Sequence, residues 1–279
     1  MTVRTLLLTA LWLFAAALPL RAVNIICSSY PVWLMTRAIT NGAGNIAPEL
    51  LMPSNSGCAH DYLPSVRDMR KACGPDTVLI INGLKLDDHI AQAIKKINRK
   101  VVVIASCPPA SQFDAHAFIS PDTAAYMVQE IARNLSLIDP ERKKIYQSNS
   151  QQLCSKLADL HKLYCRNQTK KTVVLSGRLF INLAKAANVP VILIRENHNT
   201  VLTATQLGKL LQRIRQAAPE AIWQEKNSRD PAVAAIQKDL ALPVIELDSM
   251  LAGPANPQPD HFLEIMRSNL QKIAGAKQK

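Results

Sequence analysis

The chain has 279 residues, of which 33 are Lys or Arg and 21 are Asp or Glu, so its formal net charge is +12. This length is enough for one large or two medium domains with sizeable cores. A basic balance can indicate nucleic-acid binding, but no basic patch is interleaved with aromatic residues and the chain begins with an export signal. We therefore expect a solvated basic surface and no nucleic-acid partner.

Residues 1–22 have the parts of a secretory signal peptide. Arg4 gives a positively charged start, Leu6–Leu20 is apolar, and Ala22 is a small residue before a cleavage point. The apolar run is too short to span a membrane, and no stop-transfer pattern follows it. The residues before Cys27 lack the small side chains of a lipoprotein processing site. We therefore expect a cleaved signal and a soluble periplasmic protein without a lipid anchor.

The next part of the chain alternates short apolar strands with helices. Thr77–Ile81 is an uninterrupted β-branched run, which is typical of a parallel strand buried on both faces. Ser65 and Ser120 are suited to cap the helices that follow them. The predicted strands are Asn24–Ser28, Glu49–Met52, Thr77–Ile81 and Lys100–Ala105, and the predicted helices are Pro31–Thr40, Ser65–Cys73, Leu86–Lys96 and Ser120–Leu135.

A long helical stretch follows Asp139-Pro140-Glu141. Its apolar residues recur near helical spacing, with charged residues and glutamines between them. About 25 residues at 1.5 Å each would span roughly 38 Å, which is the width of a domain. The stretch is therefore predicted to connect two halves of the protein.

After Lys171 the alternation of strands and helices resumes. Because helices of this length separate the strands, parallel sheets are expected in both halves. The sequence thus predicts an α/β protein of two lobes, each with a four-stranded parallel sheet flanked by helices, joined by one long connecting helix. The predicted boundaries are 23–138 for the N-terminal lobe, 139–168 for the connecting helix and 169–279 for the C-terminal lobe. The predicted strands of the C-terminal lobe are Thr172–Leu175, Val191–Arg195, Ala221–Gln224 and Val244–Leu247, and its predicted helices are Arg178–Ala187, Thr203–Ala218, Asp230–Leu240 and Asp260–Ala274.

Two histidines lie in loops that leave predicted strands. His60 follows Cys58 in the loop PSNSGCAHDYLP, and His116 lies in the loop FDAHAFISP. In open parallel α/β sheets, ligands bind outside the carboxyl ends of the strands. Asp248 and the turn 176–178 also follow strands, so we expect these groups to converge on a cleft between the lobes. Neutral imidazoles with a carboxylate suit zinc, and manganese or iron less exclusively.

A series of short motifs also occurs in a specific order. They are Ser29-Tyr30-Pro31, His60-Asp61-Tyr62, Ile81-Asn82-Gly83 and Asp114-Ala115-His116, followed by Ala184-Lys185-Ala186, Gln224-Glu225 and Glu246-Leu247-Asp248. In these motifs the chain resembles the zinc/manganese ABC-transporter substrate-binding proteins, the ZnuA/TroA-like receptors, over nearly all of its length after the signal. The resemblance implies a monomeric periplasmic receptor that captures Zn2+ or Mn2+ and delivers it to an ABC permease/ATPase importer.

The resemblance also implies the ligands of the metal. Two histidines come from the first lobe, and a histidine or glutamate and an aspartate come from the second. His60, His116 and Asp248 match three of these ligands. The remaining position falls at Gly177, which has no side chain, next to the cation of Arg178. The site is therefore expected to be atypical and to lack its usual third ligand.

Three side chains or a water could replace the missing donor. Cys58 would supply a thiolate and favour zinc or copper(I), although it could equally form a disulfide. His198 would have to swing in from a polar loop, and Glu225 or a water could complete the coordination. Alternatively, Arg178 could pair with Asp248 and leave a site that holds no metal.

Six cysteines follow the signal. An even count in an oxidising compartment favours disulfides. Cys154 and Cys165 would lie roughly 16 Å apart along one helix, so they could pair only if the helix ended before Cys165. The other cysteines are Cys27, Cys58, Cys73 and Cys107.

Two further functions stay open beside the receptor. One is a metal chaperone, or a degenerate receptor for copper or a metal complex, that uses His60, His116 and Cys58. The other is a hydrolase with a zinc-bound water at an open coordination position. The sequence has no nucleophile elbow, phosphate loop or HExxH motif and no identifiable general base, so a binding protein is favoured over an enzyme. The remaining histidines, His89, His161 and His261, are expected in surface or structural positions.

Overall fold

The structure is a computed structural model that describes residues 23–167, 171–196 and 201–275. The predicted signal peptide, residues 1–22, and the candidate ligand His198 lie outside the described residues. Within the described ranges, no helix is both long enough and apolar enough to cross a membrane.

The first lobe is built around a parallel sheet with the strand order β2-β1-β3-β4. Every residue of β3 is buried, as predicted for a strand covered on both faces. Its side chains alternate between two apolar clusters, with Val78 in one and Leu79 in the other, because successive residues of a strand point to opposite faces. The strands are β1 (Asn24–Cys27), β2 (Glu49–Leu50), β3 (Thr77–Gly83) and β4 (Val102–Cys107), and the helices are α1 (Tyr30–Thr40), α2 (Val66–Lys71), α3 (Asp88–Ile97) and α4 (Pro121–Ile138).

The second lobe repeats this arrangement with the strand order β6-β5-β7-β8. All pairings in both sheets are parallel. The predicted α/β architecture of two four-stranded parallel sheets is therefore confirmed. The strands are β5 (Val173–Leu175), β6 (Val191–Leu193), β7 (Ala221–Glu225) and β8 (Val244–Leu247), and the helices are α6 (Ile181–Ala186), α7 (Ala204–Ala217), α8 (Pro231–Leu240) and α9 (His261–Gly275).

The long helix α5 (Lys143–Asn167) connects the two lobes and follows a short 3-10 turn at Pro140–Arg142. It is fastened to both of them. The Asn149 amide donates to the Ile39 carbonyl of the first lobe at 2.9 Å, and the Tyr164 hydroxyl donates to the Leu183 carbonyl of the second at 2.9 Å. One apolar cluster runs from β1 across α5 to β5, so the lobes share a core along this helix.

None of the predicted disulfides is formed: the six cysteines, which all fall within the described residues, are free. Cys27 and Cys107 end strands β1 and β4, which β3 separates. Two strand spacings amount to roughly 9.6 Å, which is too far for a disulfide. Cys154 and Cys165 lie on the uninterrupted helix α5, so the condition for their pairing is not met.

Candidate metal centre

The loop that carries His60 is held from both of its ends. Cys58 precedes a 3-10 turn at Ala59–Asp61, in which Ala59 is fully buried. The Tyr62 carbonyl accepts a hydrogen bond from His89 Nε2 at 2.9 Å, and the Tyr62 hydroxyl donates to Asp68 at 2.6 Å. His89, predicted from the sequence to occupy a surface or structural position, therefore anchors this loop.

The loop that carries His116 is held by the neighbouring strand. The side-chain amide of Asn82, at the end of β3, donates to the Ala115 carbonyl at 2.9 Å. The residues that follow His116 are buried in the core as a 3-10 turn, Ala117–Ile119. His116 is itself only 2% exposed. Its imidazole is thus fixed by the packing of the first lobe.

These two loops bring together three groups that can bind a metal. The Sγ atom of Cys58 lies 3.6 Å from Nδ1 of His60 and 3.9 Å from Nε2 of His116. The three ligand atoms all lie within 4.8 Å of one another, and the imidazole centroids are 5.9 Å apart. The three residues differ in burial: His60 is exposed, Cys58 is half-buried and His116 is buried. Sequence reasoning had proposed Cys58 as one replacement for the missing ligand, and the structure places it between the two histidines.

Asp114 lies on the other side of the His116 ring. Its Oδ1 atom is 3.5 Å from Nδ1 of His116, which leaves Nε2 directed at the thiol of Cys58. Burial alone would raise the pKa of the Asp114 carboxyl, but hydrogen bonds from His116 and Arg178 outweigh it and hold the pKa below its usual range. A carboxylate against the second nitrogen of a ligating histidine fixes its tautomer and increases its basicity. The spacing of two residues between Asp114 and His116 was the available sequence signal for this role.

The second lobe reaches the cluster through this carboxylate. Arg178 contacts Asp114 Oδ2 with Nε at 2.8 Å and Nη2 at 2.7 Å, and its Nη1 contacts Glu196 at 2.8 Å. Asn182 holds the backbone of the same residue, since its side chain accepts from the Asp114 N–H and donates to the Asp114 carbonyl, both at 3.0 Å. No sequence motif predicts these two contacts with Asp114. The alternative pairing of Arg178 with Asp248 is not what the structure shows.

The remaining candidate residues of the second lobe do not join the cluster. Asp248 follows β8, where its carboxylate accepts from the Met250 N–H at 2.9 Å. Its ligand atoms are not among those within 4.8 Å of one another in the described part of the chain. Gly177 has an extended backbone and open space around the position of a Cβ atom, so a side chain would fit there. Glu225 shares a small polar cavity with Gly177.

Burial of Cys58 and the charges around it favour the protonated form of its thiol in the absence of a metal. Burial raises the pKa of Cys58, a hydrogen bond from the His60 backbone lowers it, and the charges of Asp61 and Glu225 raise it. Glu225 is therefore close enough to influence the cluster electrostatically. A metal ion would reverse this balance, because a coordinating thiol is deprotonated.

Comparison with known proteins identifies a protein family that this chain matches. A model of the family described as ZnuA, zinc-uptake complex component A, periplasmic, matches residues 25–276. The metal ABC transporter substrate-binding lipoprotein SloC of Streptococcus mutans is 27% identical over 242 residues, which are 77% of this chain and 78% of that protein. The iron ABC transporter substrate-binding lipoprotein MtsA of Streptococcus pyogenes is 26% identical over 241 residues, 77% of each chain.

Solved structures show the same fold. The substrate-binding protein FpvC of Pseudomonas aeruginosa in complex with Ni2+ superposes with a TM-score of 0.80 at 20% identity, covering 92% of this chain and 97% of that one. At this level of identity the match concerns the architecture of two lobes and a connecting helix.

Proposed function

The chain belongs to the ZnuA family of periplasmic zinc-uptake components, and from that premise we propose that it captures a transition-metal ion outside the cytoplasm and delivers it to an ABC importer. The observation that supports this most directly is the convergence of His60 and His116, which come from loops 56 residues apart and end with their imidazole centroids 5.9 Å from each other. The proposed partners are the permease and ATPase of the importer.

Each residue of the centre has a proposed role. His60 binds the ion through Nδ1 and His116 through Nε2, since these are the nitrogens directed at the cluster. Asp114 positions His116 without touching the ion. From the second lobe, Asp248 and Glu225 are the carboxylates within the described residues that we propose as further donors. Glu225 lines a small polar cavity together with Gly177, where the usual ligand would be expected.

The proposed cargo is a divalent ion of the kinds that imidazole binds well, such as zinc or manganese. The printed names of the relatives span several metals, with MtsA described as an iron transporter protein and FpvC solved with Ni2+ and with Mn2+. We propose a binding role without catalysis, as transport of the ion requires only capture and release.

A metal chaperone, or a receptor for copper, is the second candidate. The specific observation in its favour is the thiol of Cys58 within hydrogen-bond range of both histidines, because sulfur ligands favour copper(I). A receptor requires an importer partner, so interaction with a permease separates the two functions. The chaperone would instead transfer its ion to another soluble protein.

Metal titration of the purified protein without its signal peptide tests the receptor. We expect one zinc or manganese ion per chain, and a loss of affinity of at least about 100-fold in His60→Ala and in His116→Ala, because each removes a direct ligand. His261→Ala is the matched control, since His261 packs against the Tyr30 ring and not in the cluster. Wild-type protein that retains no ion at micromolar supply would contradict the proposed function.

A further inference from the structure

The thiol of Cys58 has a position that the two-histidine site does not require. It lies between the imidazoles, on a half-buried loop, and none of the other cysteines is bonded to it. A structural cysteine would be expected in a disulfide or in the apolar core. Cys58 is in no disulfide and is only half-buried at the edge of the apolar core, so its place beside two metal-binding nitrogens needs its own explanation.

The two distances from the Cys58 sulfur match the edges of a coordination polyhedron. With a metal–sulfur bond of about 2.3 Å and a metal–nitrogen bond of about 2.05 Å, sulfur and nitrogen are about 3.6 Å apart at a tetrahedral angle and about 3.8 Å apart at a trigonal one. The observed separations from Cys58 Sγ are 3.6 Å to His60 and 3.9 Å to His116. The two nitrogens lie within 4.8 Å of each other, whereas two nitrogens on one ion are about 3.3 to 3.6 Å apart. An ion would therefore enter with an approach of the imidazoles of at most about 1.5 Å.

We propose that Cys58 is the third protein ligand and that the ion is a thiophilic d10 cation, Zn2+ or Cu+, in preference to Mn2+. This inference rests on the proposed function and specifies the cargo of the same centre. On binding, the Cys58 S–H bond breaks, its proton leaves to solvent, and the sulfur lone pair forms the bond to the ion. Thiolate and imidazole together suit zinc and copper(I), whereas manganese prefers oxygen ligands.

The second lobe supports this assignment. At Gly177, where a third ligand would be expected, there is no side chain to bind an ion. The adjacent Arg178 is directed at Asp114 and Glu196. The thiol of the first lobe thus takes over the donor position that is missing at Gly177. Three ligands then come from the first lobe, and a carboxylate of the second lobe, Glu225 or Asp248, would be the fourth.

Cobalt(II) reports directly on sulfur ligation and tests the inference. Reduced wild-type protein, Cys58→Ser and the control Cys73→Ser are titrated with Co2+ and then with Zn2+, Cu+ and Mn2+. Cys73 is exposed and donates only to the Met69 carbonyl, so its loss should change nothing. We expect a thiolate-to-cobalt charge-transfer band in wild type and Cys73→Ser that Cys58→Ser lacks. We also expect Cys58→Ser to lose at least about 100-fold in affinity for Zn2+ or Cu+ and to change within about threefold for Mn2+.

The outcomes separate this inference from the proposed function. One Co2+ per chain without the charge-transfer band would overturn the role of Cys58 while the receptor stands. The role of Cys58 would also be overturned if wild type and Cys58→Ser bound each of the three ions, Zn2+, Cu+ and Mn2+, with the same affinity. Failure of wild type to hold any of these ions would overturn the receptor as well.

Discussion

Buried carboxylates organise the first lobe at the residue scale. Asp87 is fully buried and accepts hydrogen bonds from the Ser28 hydroxyl and from the backbone N–H groups of Asn82 and Gly83, at 2.5, 2.8 and 2.9 Å. It thereby fixes the turn from which Asn82 reaches the His116 loop. Burial raises the pKa of Asp87 to about 6 even though these hydrogen bonds lower it.

The raised pKa of Asp87 predicts a defined dependence of stability on pH. Below about pH 4 the carboxyl is protonated in both the folded and the unfolded chain. Between about pH 4 and 6 the unfolded chain releases the proton first, so stability is lost as the pH rises, by roughly 3 kcal/mol in total. The measurement is the free energy of unfolding of metal-free wild type and Asp87→Asn from pH 4 to 7.

At each pH, the free energy of unfolding of Asp87→Asn is subtracted from that of wild type. This removes the contributions of the other carboxylates, including Asp114, because both proteins contain them. Wild type should lose stability relative to Asp87→Asn as the pH rises through this window. A difference that stays constant would show that Asp87 is ionised in the folded protein at every pH tested.

At the scale of elements, the turn after β3 depends on a glycine. Gly83 has a φ of +82°, and a Cβ atom there would lie 2.3 Å from the Cys107 carbonyl oxygen of β4. The strand pairing brings the two residues side by side, since Gly83 and Cys107 are partners in the register. A side chain at this position would separate the ends of β3 and β4, which carry the turn and the loop of the metal centre.

Gly83→Ala is therefore expected to destabilise the protein by about 2 kcal/mol or more, because both the backbone conformation and the contact are unfavourable. Gly208→Ala is the matched control: this glycine lies within α7 with open space around it, so alanine should stabilise by about 1 kcal/mol. Thermal or denaturant unfolding measures both. Equal effects of the two substitutions would contradict the account of the turn.

The elements themselves were largely predictable, and the contacts between them were not. The β-branched run of β3 and the serine cap of α2 follow from local rules, and the structure shows both, with Ser65 and Asp68 forming a capping box. The disulfide prediction was wrong, because cysteine count carries no information on which strands end side by side. The partner of His89 could not be predicted for a similar reason, since it is a backbone carbonyl in a distant loop.

At the scale of the whole molecule, the lobes meet at Asp114. Its carboxylate is 8% exposed and contacts Arg178, and its backbone is held by Asn182. The resemblance implied that the second lobe would contribute a metal ligand at the position that Gly177 occupies. The position of Arg178 could be seen in the sequence, but its partner could not, because the pair joins residues 64 positions apart in different lobes.

Loss of this ion pair should loosen the contact between the lobes. Arg178→Ala leaves the buried Asp114 carboxylate without its cation, so we expect about 2 kcal/mol of destabilisation and faster hydrogen exchange in residues 113–119. Arg215→Ala is the matched control, because the ion pair of Arg215 with Asp239 is exposed and should contribute about 1 kcal/mol or less. Unchanged exchange in residues 113–119 would show that Asn82 and Asn182 hold the loop without Arg178.

Placing three of the four proposed donors on one lobe also has a consequence for release. A tetrahedral ion held by Cys58, His60 and His116 has one vertex that no group of the first lobe fills. A donor from the importer could displace the carboxylate of the second lobe from that vertex before any bond to the first lobe breaks, so the handover would be an associative exchange. Departure of the cargo would then depend on the chemistry of the incoming donor, and the lobes could remain joined along α5 throughout.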